Sequence, residues 1–300
     1  MKIENSAGGE ASPAEMTERA PARYPTLQYV LAAALLIAGF WPILTGMYGS
    51  WFDEYANMEH GILVLPAAAY MAWRNRASLR VIPRKPSAWG IALLVWGALQ
   101  AMMGLAAHWT WTSRTALIIS TIGMVVALHG FRMVRGLAYP LTMLLLMIAP
   151  PTFVYERITL NLQLLASRLG ESCLELMGYA VAREGNILEL VGAKLSVAEA
   201  CSGIRSLFAI LFVCALYNYL FVRSNLMRAL ILVAAVPIAV LGNVGRIVAI
   251  GVASQHRGQV ALETAHETFG YISVAIGAAG CVVTHLVMRL VHQAWGSRHA

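Results

Sequence analysis

The chain has 300 residues, 59% hydrophobic and only 12% charged, against roughly 25% charged residues in an ordinary soluble domain. Several apolar runs approach the roughly 20 residues that a spanning helix requires, so a soluble globular domain is excluded and a polytopic membrane protein is expected. The net charge of +7 would suit a nucleic-acid binder, but its distribution along the chain speaks for membrane topology instead. No nucleic-acid partner is expected.

Residues 1–27 form a polar tail of mixed charge without a core-forming pattern, expected to be cytoplasmic and disordered. The first apolar run lacks a small-residue cleavage site and reads as an anchor that stays. Residues 28–300 then make one integral membrane domain with about eight spans, at 28–49, 60–73, 88–106, 115–130, 137–154, 204–221, 229–250 and 268–291. The second is short and borrows flanking residues. Arg74, Arg76, Arg80, Arg84 and Lys85 follow it without an intervening acid. Loops with Arg132 and Arg135, with Arg223 and Arg228, and a tail with Arg298 fall on the same side. Every acid beyond Glu18, starting with Asp53, Glu54 and Glu59, falls on the other. Positive-inside reasoning therefore puts both termini in the cytoplasm.

The longest extramembrane segment, about 151–200, then faces outward. Pro150-Pro151 ends the fifth span, because proline supplies no backbone donor and disfavours helix before it. Leu160, Leu164, Leu165, Leu169, Leu174 and Leu176 recur among Asn161, Gln163, Arg168 and Glu171, which predicts an amphipathic helix on the outer leaflet or capping the bundle. Alternating polar and apolar residues over 185–197, around Gly192, allow a short β-hairpin. The fold class expected is all-α: a polytopic helix bundle with this outer helix and hairpin.

The hairpin delivers the chain to Glu199-Ala200-Cys201-Ser202-Gly203-Ile204-Arg205-Ser206, at the mouth of the sixth span. A thiol is a weak nucleophile at neutral pH until a helix N-terminus, a cation or a base favours its thiolate. Cys201 precedes Ser202-Gly203 where the orphan amides and dipole of the next helix favour negative charge. Arg205 is about one turn on. Glu199 opposes the thiolate if ionised nearby, or holds an arginine. Of the remaining cysteines, Cys214 and Cys281 fall inside spans and read as small apolar packing residues. Cys173 could bridge Cys201 on an oxidising face, which would disarm the nucleophile.

Span seven carries Gly242-Asn243-Val244-Gly245-Arg246-Ile247. An arginine in an apolar run costs a few kcal/mol by insertion scales and faces a cavity or partner, unless it snorkels to the interface. Gly242 and Gly245 would admit a close neighbouring backbone. The entrance to span eight supplies Ala265-His266-Glu267-Thr268-Phe269-Gly270. Cys201, Arg246 and His266 thus fall at one outer boundary on three consecutive spans, a nucleophile, a cation and a base suited to thiol acyl transfer. His60 opens span two from the same side and is either near this site or an interfacial bystander. His129, His285, His292 and His299 lie towards the inner side, too deep to reach Cys201. Trp41, Trp51, Trp73, Trp89, Trp109 and Trp111 cluster at span ends as an aromatic belt. No two histidines share a helical face with a cysteine at ligand spacing, so no metal site is expected, and no cofactor.

These residues resemble the exosortase/archaeosortase transpeptidases. The resemblance lies in Glu199–Ser206, in Gly242–Ile247, in His266 with Gly270, and in Glu59-His-Gly-Ile-Leu-Val64 followed by a basic loop, and covers about 60 to 290. It implies processing of secreted, membrane-anchored substrate proteins that carry a C-terminal sorting signal: a short motif (Pro-Glu-Pro in the best-known bacterial group), an apolar helix and a basic tail. Carried over by position, it makes Cys201 the nucleophile, Arg246 the transition-state stabiliser and His266 the acid/base. Glu199, Ser202, Gly203, Arg205, Asn243 and His60 would support them. The outer segment at about 151–200 would stand over catalytic spans at about 201–291. The acceptor of the new C-terminus would be a lipid, a glycan or water. Two rival readings are a membrane protease that only hydrolyses and a non-enzymatic component of polysaccharide export. A thiol oxidoreductase is disfavoured because Cys201 has no CxxC partner.

Overall fold

A computed structural model of the chain describes residues 25–52, 58–191, 193–197, 204–257, 272, 275–290 and 293. The elements in chain order are α1 (Pro25–Gly39), α2 (Trp41–Phe52), α3 (Gly61–Arg74), α4 (Arg76–Val81), α5 (Trp89–Ala106), α6 (Thr110–His129), α7 (Phe131–Gly136) and α8 (Ala138–Met143). A 3-10 turn (Leu144–Met147), α9 (Thr152–Leu176), β1 (Val181–Glu184), β2 (Ile187–Leu190), β3 (Ala193–Ser196), α10 (Ile204–Phe221), α11 (Asn225–Arg257) and α12 (Ala275–Leu290) complete the order. Helix α1 belongs to a unit of its own that ends at Gly39, a 15-residue helix without a charged residue. The expected polar tail falls on residues 1–24, outside the described residues, and on the first turn of α1.

The chain is a mostly helical, multi-pass membrane protein. Three of the described helices, α5, α6 and α11, are by themselves long and apolar enough to cross a bilayer, and up to five spans result if two pairs of consecutive helices each count as one. The expected series of eight spans is therefore not a series of eight uninterrupted helices. The first divides at Phe40, between α1 and α2. The second is short as expected: α3 has 14 residues, about 21 Å at 1.5 Å per residue. The fifth is broken. Residues 138–147 and α9 meet at an angle of 77°, because the tight Leu144–Met147 turn and Pro150-Pro151 cannot continue the α-helical ladder.

Helices α5 and α6 form a closely packed hairpin. Gly90, Gly97 and Gly104 recur every seven residues and lie against Ala127, Ser120 and Ser113, which recur at the same interval. A Cβ at any of these glycines would collide with the facing helix. Dispersion across so close a seam, rather than apolar burial, holds helices together where lipid is as apolar as leucine. Gln100 Nε2 reinforces it by donating to Thr112 O and Thr115 Oγ1, each at 3.0 Å.

The predicted amphipathic helix is present as α9, with Asn161 and Arg168 exposed as expected, but its buried face is not the leucine stripe. Gln163, Ala166, Ser167, Gly170 and Leu174 are buried, whereas Leu160, Leu165, Leu169 and Leu176 are exposed. Most of the leucine stripe faces outward, with Leu174 the exception. The polar stripe Gln163, Ser167 and Glu171 bonds the sheet. Asn186 Nδ2 donates to Gln163 Oε1 at 3.3 Å, Ser167 Oγ to Gly185 O at 3.1 Å, and Arg183 Nε to Glu171 Oε2 at 2.7 Å. The expected hairpin, β2–β3, gains a third strand to become an antiparallel sheet in the order β1-β2-β3. Its β1–β2 connection is the two-residue Gly185-Asn186 loop, with Gly185 at φ +63°, a conformation natural to glycine. Lys194 stands opposite Glu189 on β2, and the hydrogen bond to that carboxylate holds its ammonium pKa above the ordinary value.

The sheet's apolar residues Leu188, Leu190, Leu195 and Val197 pack with Ala166 and Leu174 of α9 and with Val244, Ile247 and Ile250 of α11 into one buried cluster. Helix α11 has 33 residues, about 50 Å at 1.5 Å per residue, and so outreaches a hydrocarbon core of ~30 Å. Its far end is the post on which the sheet rests. A second cluster joins α10, α11 and α12 through Leu207, Ile210, Cys214, Ile231, Ala235, Ala239 and Cys281. Cys214 and Cys281 are fully buried, as packing residues would be, but they are not separate: a disulfide joins them across α10 and α12.

Two more expectations change. Of the two glycines expected to admit a neighbour, Gly242 is buried, but Gly245 meets no described residue within 4 Å; a close approach to this stretch of α11 is instead made by Gly170 of α9, where a Cβ would come within 2.8 Å of Ile247 Cγ2. Trp51 is not a belt residue but a core one, 5% exposed, whereas Trp41, Trp73, Trp89, Trp109 and Trp111 are exposed. Gly170→Leu should destabilise the protein by about 1–3 kcal/mol, the usual cost of overpacking. Gly245→Ala, placed in open space, should not, since alanine is the better helix former. Thermal unfolding of the purified variants in detergent checks this; equal melting temperatures for both would contradict the packing described.

Candidate functional site

Of the expected site residues, Cys201, His266, Glu199, Ser202 and Gly203 lie outside the described residues. Arg205 is in the first turn of α10 by its backbone, and its side chain is likewise outside the description. Arg246, Asn243 and His60 are described, and each is buried, at 7%, 2% and 7% exposure.

His60 ends up between two elements distant in sequence. It precedes α3 and turns its ring to the 3-10 turn, with Nε2 3.1 Å from Leu146 O. A carbonyl oxygen only accepts, so Nε2 carries the proton in this contact. Trp51 Nε1 donates to the next carbonyl, Met147 O, at 3.3 Å. These two ring N–H groups thus reach carbonyls at the point where the broken fifth span loses its helical ladder. The other side of the His60 ring faces α10: it lies parallel to Phe208, with centroids 6.2 Å apart and 5° between planes, and tilted towards Phe212. His60 is therefore no interfacial bystander but a buried bridge from the break to the second and third turns of α10.

Arg246 lies 246 − 225 = 21 residues beyond the start of α11, about 32 Å along the helix. That is the depth at which α11 leaves the basic end of the bundle behind and begins to carry the sheet. Asn243 and Ile247 share a face of α11 by their spacing, and Asn243 lines a small cleft between α9 and α11 with Leu162, Ala166, Ala239 and Val240. Gly170 presses on Ile247 from the α9 side. Ile247, next to Arg246, and Val244, two residues before it, belong to the cluster that also holds Val197. Burial among packed elements, with Ile250 and Ser254 still buried further along the helix, is unlike a side chain that snorkels to an interface.

The other histidines take different places. His285 is buried and lies 2.7 Å by Nδ1 from the Tyr217 hydroxyl. Tyr217 is in the last turns of α10, whose end is tied to that of α3 by Tyr219 donating to Met71 O at 2.8 Å. His285 therefore sits at the end of α10 remote from His60. His129 closes α6, beside Lys85. Cys173 is a free thiol that packs at the edge of the cluster holding Val197.

Sequence reasoning missed three contributors to this region. Gly170 gave no signal, because a lone glycine in an apolar helix does not reveal what approaches it. Trp51 was concealed among belt tryptophans. The stripe Gln163, Ser167 and Glu171 could have been found, since its four-residue intervals mark one helical face with bonding capacity.

No curated protein and no solved structure shows a significant match to this chain. A family model described as transmembrane exosortase matches residues 51–283, a stretch that begins at the buried Trp51, includes His60, Arg246 and the sheet, and ends within α12. The chain belongs to the transmembrane exosortase family.

Proposed function

We propose that this chain is a membrane cysteine transpeptidase that cleaves C-terminal sorting signals of secreted proteins at the outer face of a bacterial inner membrane. Membership of the exosortase family supports a transpeptidase-type role in general. The observation that carries the finer reading is the shared cluster of Val197 and Ile247. Cys201 follows Val197 by four residues, at most ~14 Å of extended chain, and Arg246 adjoins Ile247. Cys201 also precedes Ile204 by three residues, and α10 is held from the side by His60.

In this reading the Cys201 thiolate attacks the scissile carbonyl carbon of the substrate. The negative charge that develops on the carbonyl oxygen is met by the Arg246 guanidinium, in surroundings dry enough for the interaction to be strong. Collapse of the tetrahedral intermediate breaks the C–N bond, and His266 gives its proton to the departing amine. The thioester on Cys201 is then attacked by a nucleophile on a lipid or glycan, or by water, which regenerates the thiol. Asn243 supports Arg246 from the same face of α11, and Ser202, Gly203 and Arg205 favour the thiolate at the start of α10. Glu199 holds a neighbouring cation. His60 positions α10 and takes no part in proton transfer. The substrate's apolar helix spans beside the enzyme with its motif outside and its basic tail inside.

Three outcomes check this. Cys201→Ala should leave uncut substrate in the membrane, while Cys173→Ala should still process it; normal processing by Cys201→Ala sinks the mechanism, and the product's mass distinguishes transfer from hydrolysis. Arg246→Lys should remain folded and inserted yet lose turnover by a factor on the order of 10²–10³, the usual loss for one oxyanion donor, since a single ammonium does not replace a planar guanidinium. Turnover near that of wild type would remove Arg246 from the catalytic set. In a Cys173→Ala background, an impermeant thiol reagent applied from the periplasm should label Cys201; labelling only after permeabilisation would reverse the orientation.

A further inference from the structure

Among the described residues, one end of the bundle carries charge of a single sign. Between Glu59 and Glu156 the sequence has no aspartate or glutamate, yet it has Arg74, Arg76, Arg80, Arg84, Lys85, Arg132 and Arg135 at this end. All seven are exposed. The two ion pairs among the described residues, Arg183–Glu171 and Lys194–Glu189, both belong to the sheet region at the opposite end.

The two basic stretches are not independent loops, because backbone contacts lock them together. The Lys85 amide donates to His129 O at 3.0 Å and the Ser87 amide to Val126 O at 3.3 Å. Gly130, at φ +88°, lies so close under the Lys85 carbonyl that a Cβ would not fit. Further along, Leu79 and Ile82 pack on Gly136, and Asn75 Nδ2 donates to Gly136 O at 3.5 Å. The short helices α4 and α7 are thereby held side by side, with Arg76 and Arg80 on one and Arg132 and Arg135 on the other.

Large apolar side chains stand among these cations. Trp73, Val81, Trp89 and Phe131 are 59%, 82%, 69% and 51% exposed, and the Arg76 guanidinium lies 4.1 Å over the Trp73 ring. Neither water nor hydrocarbon satisfies such a surface. Water leaves the apolar groups exposed and the crowded cations repelling one another; hydrocarbon strips the cations of solvation. The headgroup layer of a bilayer satisfies both, with rings at the acyl boundary and cations among phosphates. Dispersed arginines would suffice to orient a membrane protein, but a rigid pair of basic helices presents their charges at fixed spacing, as a binding surface does.

We propose that α4, α7 and the segment joining α4 to α5 form a platform for the headgroups of anionic phospholipids. The inference is independent of the catalytic reading, since it uses none of the proposed catalytic residues. The full chain, purified into micelles with equal amounts of phosphatidylglycerol and phosphatidylcholine, should retain the anionic lipid preferentially in native mass spectrometry. The preference should be lost in Arg80→Gln/Arg84→Gln/Arg132→Gln/Arg135→Gln and kept by lysine at the same four positions, because the platform uses charge. It should weaken as salt rises and survive inorganic phosphate. Equal retention of the two lipids by the wild type, or an undiminished preference in the glutamine variant, would overturn the proposal. So would displacement of the lipid by inorganic phosphate, which would mark a site for free anions. Should the glutamine variant fail to fold, the salt titration on the wild type decides: a preference indifferent to salt counts against the platform.

Discussion

Backbone carbonyls that lose their helical partners inside an apolar bundle must find donors, because no water is at hand to replace them. The break in the fifth span creates this demand at Leu146 and Met147, and the rings of His60 and Trp51 meet it. Much of the architecture follows from that solution. The break turns the chain by 77° into α9, which gives the sheet a helix to lie on. The donors draw the N-terminal part of the bundle against the break. Because the His60 ring also lies on Phe208, the same contact ties the break to the beginning of α10.

From there the fold is governed by how close α9 and α11 can come. Gly170 removes the side chain that would hold Ile247 away, and Ala166 continues the same narrow face. Above this seam Leu188, Leu190, Leu195 and Val197 complete the core. The sheet is therefore part of the hydrophobic interior rather than an appendage of the outer segment. Its strands are short, and a two-stranded hairpin alone would be marginal in water; the third strand and packing on two helices make it stable. A strand secured in this way ends beside the helix that carries Arg246.

Charge divides the molecule along its length. Among the described residues, the end reached by α4 and α7 holds exposed cations without acids, whereas the sheet end pairs its charges as Arg183–Glu171 and Lys194–Glu189. Arg246 belongs to neither group. It is buried near the sheet end, next in sequence to Ile247 of the apolar cluster, and the proposed function gives this buried cation a role.

Membrane class, helical content and family could be read from the sequence, since they depend on composition, on period and on short local motifs. The hairpin around Gly192 was legible through its alternation, and α9 through its leucines. Local pattern could not say which face of α9 points inward, because an amphipathic stripe has opposite meanings in water and in lipid; the buried Gln163 and Ser167 resolved it. Nor could it show that the fifth span breaks, that Trp51 leaves the belt for the core, or that Gly170 rather than Gly245 admits a neighbour. Of the site, the residue types were legible in the sequence: Cys201, Arg246, His266 and His60 were expected at one boundary, and Cys201 and His266 lie outside the described residues. Only the tertiary structure decided that His60 bridges the break to α10 and that Arg246 lies beside the cluster holding Val197. Such contacts join segments far apart in the chain, and they are set by which backbones can approach and which buried carbonyls need a donor, neither of which is written in any one segment.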